Sequence, residues 1–127
     1  MTPSAMCMRD LRLLGYVPWV VEATIAHFKR DLYNCIDILA LKDEQTLAVQ
    51  VTSGANHAHR AKKVRESMYL GKMLQACWTV EVWSYSKTAA GTYKLRREGM
   101  NPGVLNVTPG VLNLCTLSSL KEMNKAL

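Results

Sequence analysis

Two apolar runs of strand length, residues 36–41 and 46–53, lie on either side of the polar tetrapeptide 42–45. This pattern predicts a β-hairpin. Each run carries one side chain that is unusual in an apolar strand, Asp37 in the first and Gln50 in the second. A buried carboxylate costs free energy unless it is paired or binds a metal. If the strands pair across the turn, Asp37 and Gln50 come close together, with Thr52 on the same face as Gln50.

The composition is that of one globular domain. The 127 residues are 49% hydrophobic and 20% charged, and the formal net charge is +6, which favours an anionic partner, nucleic acid first. The four cysteines are widely separated without a CxxC pair, so we expect reduced, mostly buried thiols. Because no apolar run reaches membrane length and no signal-peptide layout is present, the sequence predicts a cytoplasmic protein.

Before the hairpin, the sequence predicts a helix, a strand and a loop. Thr2 is a good helix cap and Gly15 a good helix terminator, so the first helix should lie between them. Residues 16–23 are typical of a strand, and Pro18 near its start indicates a sheet edge or an irregular entry. The more polar residues 26–34 favour a loop.

After the hairpin, the pattern changes to a long helix and two further strands. Residues 58–75 are rich in helix formers with helical apolar spacing. Residues 78–85 and 92–97 alternate in the manner of strands joined by a turn. A helix between the third and fourth strands permits a right-handed parallel crossover, so we expect an α/β fold with a mixed central sheet.

The end of the chain differs from the rest. We therefore divide the sequence into a core, residues 1–99, and an irregular C-terminal extension, residues 100–127. The extension contains the pentapeptide Pro-Gly-Val-Leu-Asn twice, and two turns followed by a helix over 118–125 are expected there. Its apolar side chains are candidates for a contact between the subunits of a homodimer: Val104, Leu105, Val111 and Leu112.

Basic residues are concentrated at the start of the long helix. They are Arg60, Lys62, Lys63 and Arg65. Because the first acid in this stretch, Glu66, comes after them, they form a concentrated positive edge that suits phosphate contacts; the alternative is an ordinary solvated helix face. His57 and His59 precede them, but a spacing of two puts them on different helix faces, which disfavours a shared metal ion.

Residues 3–85 resemble the PD-(D/E)XK nuclease superfamily in the acid, in the amide and in the predicted order of helices and strands. Within that superfamily, the chain is most similar to small phage-encoded nucleases and to archaeal Holliday-junction resolvases. The resemblance implies a restriction-endonuclease-like core of helix, three strands, helix and strand. It also implies that Asp37 matches the motif's first acid and Gln50 the second position, where glutamine is a known variant. Thr52 departs from the pattern, since it stands at the position of the motif lysine.

The resemblance implies a DNA endonuclease or resolvase-like enzyme that uses Mg²⁺ or Mn²⁺. Asp37, Gln50 and the Val51 carbonyl are then the expected metal ligands, and Glu22 or Asp31 can add a second negative charge. A divalent ion polarises a phosphate and lowers the pKa of a bound water. Arg60, Lys62 or Lys63 is expected to replace the missing lysine.

Two other interpretations remain open on the sequence. Asp37 can pair with Arg30 or cap a local turn, and Gln50, Thr52 and Glu22 are acceptable on a half-exposed sheet. Alternatively, the domain keeps the nuclease fold without cleavage and acts as a DNA-binding or protein-interaction module, which the threonine at the lysine position favours.

Overall fold

A helix, a run of strands, a helical segment and two further strands follow one another along the chain, as the sequence predicts. The computed structural model describes residues 1–25 and 28–100. The helices are α1 (Pro3–Leu13), α2 (His57–Arg65) and α3 (Leu70–Gln75), and a 3₁₀ turn, Gly54–Asn56, precedes α2. The strands are β1 (Val17–Val20), β2 (Ala23–Ile25), β3 (Phe28–Arg30), β4 (Ile38–Lys42), β5 (Gln45–Ser53), β6 (Thr79–Lys87) and β7 (Tyr93–Gly99).

Five of these strands form one mixed sheet in the order β1-β4-β5-β6-β7. Neighbouring strands are antiparallel except β5 and β6, which run parallel. Two parallel strands need a crossover connection, and α2 with α3 provides it. The predicted α/β class, mixed sheet and central hairpin are therefore confirmed.

The sheet carries an apolar layer on each face. One layer packs against α1 and contains Met6, Leu11, Ile38, Val49 and Trp83. The other packs against α2 and α3 and contains Ile36, Ala48, Val64, Met73 and Val82. Because residues of β5 alternate between the faces, Gln50 and Thr52 lie on the face of Ala48, toward α2.

The N-terminal elements follow the predicted signals. Thr2 caps α1 by accepting a hydrogen bond from the Ala5 N–H at 3.1 Å. Gly15, with φ of +92°, lies just beyond the helix end, where only glycine is free of strain. β1, which contains Pro18, pairs only with β4 and is an edge strand.

Two element predictions were wrong. Residues 26–34 were expected to be a loop, but β2 and β3 form an antiparallel ribbon of their own. The single helix expected over residues 58–75 is two helices, because the chain leaves α2 after Arg65 and Ser67 redirects it. The Ser67 carbonyl accepts from the Leu70 N–H and its hydroxyl accepts from the Tyr69 N–H.

The cysteines divide into two groups. Cys7 and Cys35 are buried free thiols, as expected. Cys77 is disulfide-bonded, so the expectation that every cysteine is reduced was wrong. In residues 1–25 and 28–100, no helix has the length and apolar character needed to cross a membrane. The predictions for the C-terminal extension, including its repeat, its helix and its dimer contact, lie outside the described residues.

Candidate metal centre

The backbone of the central hairpin fixes Asp37 opposite Gln50. The register pairs Ile38 with Val49, so one step back along β4 brings Asp37 across from Gln50. The Asp37 N–H donates to the Val49 carbonyl at 2.9 Å, and its own carbonyl accepts from the Val21 N–H at 2.9 Å. Asp37 is therefore held between β1 and β5, although it lies one residue before β4 begins.

The two side chains meet, as the hairpin predicts. Asp37 Oδ2 accepts hydrogen bonds from Gln50 Nε2 and from the Val51 N–H, the latter at 2.8 Å. Only 7% of Asp37 and 2% of Gln50 is exposed. Of the alternatives, pairing with Arg30 finds no support in the described residues, because Arg30 lines a different cleft. The carboxylate is held by amide donors instead.

Two further carboxylates approach Asp37. Glu22 follows β1 and Asp31 follows β3, and a carboxylate oxygen from each of the three residues lies within 4.8 Å of the others. Together with Gln50 and Val51 they line a cleft of about 370 Å³, which we call the acidic cleft. The sequence suggested either Glu22 or Asp31 as a second negative charge, and the fold brings both carboxylates close to Asp37.

Burial and the neighbouring acids raise the pKa of Asp37 from 3.8 to about 7. Loss of hydration is the largest cause, and the charges of Asp31 and Glu22 act in the same direction, as does the hydrogen-bonding contact with Asp31. The Val51 N–H opposes them by stabilising the carboxylate. Near neutral pH Asp37 is therefore partly protonated, and a bound cation would displace that proton.

The amide of Gln50 leaves one buried oxygen without a hydrogen bond. Its Nε2 faces Asp37 and donates to Oδ2. Oε1 is buried and has no hydrogen-bond partner among residues 1–25 and 28–100. An orphaned buried acceptor costs about 1–3 kcal/mol. Beside three carboxylates, an unused amide oxygen completes a set of hard oxygen donors of the kind that Mg²⁺ and Mn²⁺ prefer.

The four basic residues of α2 point in different directions. Arg60 and Lys63, three residues apart and so on one helix face, line the acidic cleft. Lys63 Nζ lies 3.5 Å from Asp31 Oδ2. Lys62 is exposed to solvent, and Arg65 pairs with Glu98 of β7 at 2.7 Å. The sequence placed all four on one positive edge, whereas the helix phase selects two of them for the cleft.

Thr52 is buried in the middle of the sheet. It pairs in register with Ser84 of β6 and is 8% exposed. The acidic cleft is lined by Gln50 and Val51 but stops short of Thr52. Position 52, where the motif has a lysine, therefore carries a small buried hydroxyl. The basic side chains that line the acidic cleft, Arg60 and Lys63, come from α2 instead.

The two histidines have separate environments, as their spacing indicates. His57 is 2% exposed, with Nδ1 2.6 Å from Ser84 Oγ and Nε2 3.1 Å from Glu98 Oε1. His59 is exposed. His57 thus ties the start of α2 to β6 and β7, away from the acidic cleft. This network had no signal in the sequence, because its members come from three separate elements.

No protein-family model, curated protein or solved structure matches this chain. The geometry of the acidic cleft is therefore the basis for assigning a function to this protein. The acidic cleft offers carboxylate and amide oxygens to a hard cation and places two basic side chains beside them. That combination can hold a metal ion against an anionic substrate.

Proposed function

We propose that this protein is a metal-dependent nucleic-acid phosphodiesterase, a DNA endonuclease or resolvase-like enzyme of the PD-(D/E)XK type. One observation carries the proposal. Gln50, whose buried Oε1 has no hydrogen-bond partner among the described residues, lines the same cleft as three clustered carboxylates and two basic side chains. An acid cluster alone is common on protein surfaces, but an orphaned buried acceptor beside one suggests a missing cation.

In this proposal, Asp37 and Gln50 Oε1 hold Mg²⁺ or Mn²⁺, with the Val51 carbonyl as a further ligand. Glu22 and Asp31 supply negative charge nearby. The ion would polarise the scissile phosphate and lower the pKa of its bound water. The chain's own contribution is a carboxylate held in place, since the main chain of Asp37 is hydrogen-bonded to Val21 and Val49.

Arg60 and Lys63 are the proposed phosphate-binding groups. Their place on one face of α2, beside the acids, allows them to contact a phosphate whose other oxygens face the metal. We propose that Lys63 supplies the positive charge that a lysine at position 52 would otherwise provide. Lys62 and Arg65 can add only longer-range attraction to the nucleic-acid backbone.

The order of elements supports the assignment at the level of the fold. Without the β2–β3 ribbon, the described chain reads α1, three strands, a helical crossover, a fourth strand and the additional strand β7. All but β7 follow the order of a restriction-endonuclease-like core. The acid and the amide face each other on the second and third of these strands. Thr52 remains the departure from the pattern.

The first test is cleavage of plasmid, four-way junction and single-stranded DNA with Mg²⁺, Mn²⁺ or EDTA. The proposal predicts cleavage with metal, none in EDTA, and none with Asp37→Ala. Asp43→Ala, which removes an exposed acid from the β4–β5 turn, is the matched control and should cut normally. Cleavage by Asp37→Ala at the wild-type rate would contradict the proposal.

A second test separates the two neighbouring lysines. Each of Lys63→Ala and Lys62→Ala removes one positive charge from α2, but only Lys63 lines the acidic cleft. With saturating DNA, Lys63→Ala should cleave about a hundredfold more slowly, the usual cost of losing a group that stabilises developing charge. Lys62→Ala should cleave normally. Equal rates for the two variants would remove Lys63 from the proposed role.

Thr52 favours a second candidate, a DNA-binding or protein-interaction module that has the fold but does not cleave. A small buried hydroxyl cannot orient a water or stabilise developing charge as a lysine does. This candidate predicts salt-sensitive DNA binding without products under either ion. The cleavage assay above distinguishes the two functions directly.

A further inference from the structure

A second cleft adjoins the acidic cleft and shares Asp31 with it. It has a volume of about 520 Å³ and includes Arg30, Tyr33 and Tyr69 in its lining. We call it the Tyr33 cleft. Its volume lies in the range of small-molecule sites, and its walls combine aromatic rings with one cation. The role proposed for the acidic cleft makes no use of these side chains.

Tyr33 is presented to solvent by an unusual backbone. Leu32 and Ile36 bond to each other across a tight turn, and Tyr33 lies at its tip with φ of +51°. Such a conformation is uncommon for a bulky residue that is not glycine. It leaves 45% of Tyr33 exposed. Backbone conformations of this kind cluster at sites that bind ligands.

Other aromatic side chains support the Tyr33 ring from below. Its centroid lies 5.3 Å from the ring of Tyr69 and 6.1 Å from that of Trp78, both in tilted arrangements. Tyr69 follows α2 and Trp78 precedes β6, so the ring is anchored to the crossover. A rigid aromatic surface with an exposed face offers a stacking platform for a planar ligand.

The position of the cleft relates its ligand to the acidic cleft. Asp31 belongs to both clefts, while the preceding residue, Arg30, lines only the Tyr33 cleft. Because the two clefts share Asp31, a strand with one phosphate in the acidic cleft can place a nearby nucleotide at Tyr33. Arg30 would lie beside that nucleotide's own phosphate.

We propose that the Tyr33 cleft binds an unpaired nucleobase, stacked on Tyr33, of the strand whose phosphate lies in the acidic cleft. This inference rests on the proposed function and specifies its substrate, a single-stranded or locally unpaired nucleic acid. The face of a base is inaccessible within a duplex, so stacking on a protein ring requires a base outside the helical stack. Perfect duplex is then a weaker ligand.

The experiment is fluorescence-anisotropy binding in EDTA, so that binding is measured without cleavage. The ligands are a labelled single-stranded DNA, the same sequence as RNA and the same sequence as duplex DNA. The variants are Tyr33→Ala, Tyr33→Phe and Tyr93→Ala. Tyr93 is a matched control, because it is 47% exposed and lies on β7 at the opposite edge of the sheet.

The proposal predicts that wild type binds single strands more tightly than duplex. Tyr33→Ala should weaken single-strand binding about 5- to 100-fold, the effect of losing one stacked base, and should bind duplex as wild type does. Tyr33→Phe and Tyr93→Ala should both retain wild-type affinity for single strands. Equal loss for DNA and RNA identifies the base as the ligand, as proposed.

Two results would overturn the inference: unchanged single-strand binding by Tyr33→Ala, or a wild-type preference for duplex. Circular dichroism of each variant distinguishes a lost ring from a lost fold. If Tyr33→Ala is unfolded, the wild-type comparison of single-stranded with duplex DNA carries the test. Adding Mg²⁺ to the same samples tests cleavage separately. Single-strand binding through Tyr33 without cleavage would refute the nuclease assignment and leave the base site standing.

Discussion

Replacing Asp37 with asparagine should stabilise the metal-free protein above neutral pH. Asparagine has the shape of the buried acid without its charge. Its Oδ1 can accept the Val51 N–H and the Gln50 amide in place of Asp37 Oδ2. Its amide nitrogen can donate toward Asp31, which contacts the acid in the wild type. The variant therefore keeps the hydrogen bonds and removes the desolvated charge.

The magnitude follows from the pKa of Asp37. Burial raises it from 3.8 to about 7, and each pKa unit corresponds to about 1.4 kcal/mol. The full effect on the free energy of unfolding is then about 4 kcal/mol. Between pH 4 and 7 the folded protein retains a proton that the unfolded chain has released, so wild-type stability falls as the pH rises. The advantage of Asp37→Asn should grow by about 2–3 kcal/mol from pH 5 to pH 8.

Urea denaturation in EDTA at pH 5 and pH 8 measures this difference. Asp43→Asn is the control, since it removes an exposed acid at the β4–β5 turn and should show no such growth. Adding Mn²⁺ at pH 8 should stabilise the wild type and leave Asp37→Asn unchanged, because binding to the folded state alone raises stability. An advantage for Asp37→Asn that does not change with pH would refute the desolvated carboxylate.

Three further predictions concern the start of α2 and the acidic cleft. A Cβ at Gly54 would lie 1.7 Å from Ser86 Oγ and 3.0 Å from Ser86 Cβ. Because the exposed Ser86 hydroxyl can rotate away, Gly54→Ala should lower the free energy of unfolding in urea by no more than about 1.5 kcal/mol, and a loss above about 3 kcal/mol would show that Ser86 is held in place. His57→Ala should lower the free energy of unfolding in urea by about 2–4 kcal/mol, because it leaves a cavity and buried partners without hydrogen bonds. Replacing the exposed His59 with alanine should leave that free energy unchanged, and equal losses for the two variants would refute the buried network. Gln50→Glu should lower metal-free stability by about 1–3 kcal/mol and tighten Mn²⁺ binding in calorimetry, because it adds a carboxylate to the cluster; weaker binding would exclude Gln50 as a ligand.

The meeting of Asp37 and Gln50 could be predicted because hairpin pairing is a local property. A short turn between two apolar strands sets the register, and the register determines which side chains face each other. The same logic placed Gln50 and Thr52 on one face. The edge position of β1 was also predictable, because Pro18 cannot donate to a second neighbour.

The convergence of Glu22 and Asp31 on Asp37 depends on tertiary structure. The sequence offered both residues as acids that could lie near Asp37, but the path of the chain between β1 and β4 decides whether they reach it. That path includes the β2–β3 ribbon, whose three-residue strands are too short to give a periodic signal. The choice of Lys63 over Lys62 likewise depends on how α2 is rotated against the sheet.

The break after α2 had a signal in the sequence. Ser67 can accept backbone hydrogen bonds locally and so competes with helix continuation. The apolar spacing across 58–75 outweighed it in the prediction, yet Met68, one of the apolar residues in that spacing, is 82% exposed. The Tyr33 cleft had no signal, because its two rings, Tyr33 and Tyr69, come from separate segments.

In the proposed function, a divalent cation binds between Asp37 and Gln50. Anomalous diffraction from crystals soaked in Mn²⁺ tests this most directly. We predict a peak roughly 2.0–2.2 Å from an Asp37 carboxylate oxygen, the ligand distance of small hard cations, with Gln50 Oε1 turned to the same ion. A map with no peak in the acidic cleft, and with the Gln50 amide still donating to Asp37, would contradict it.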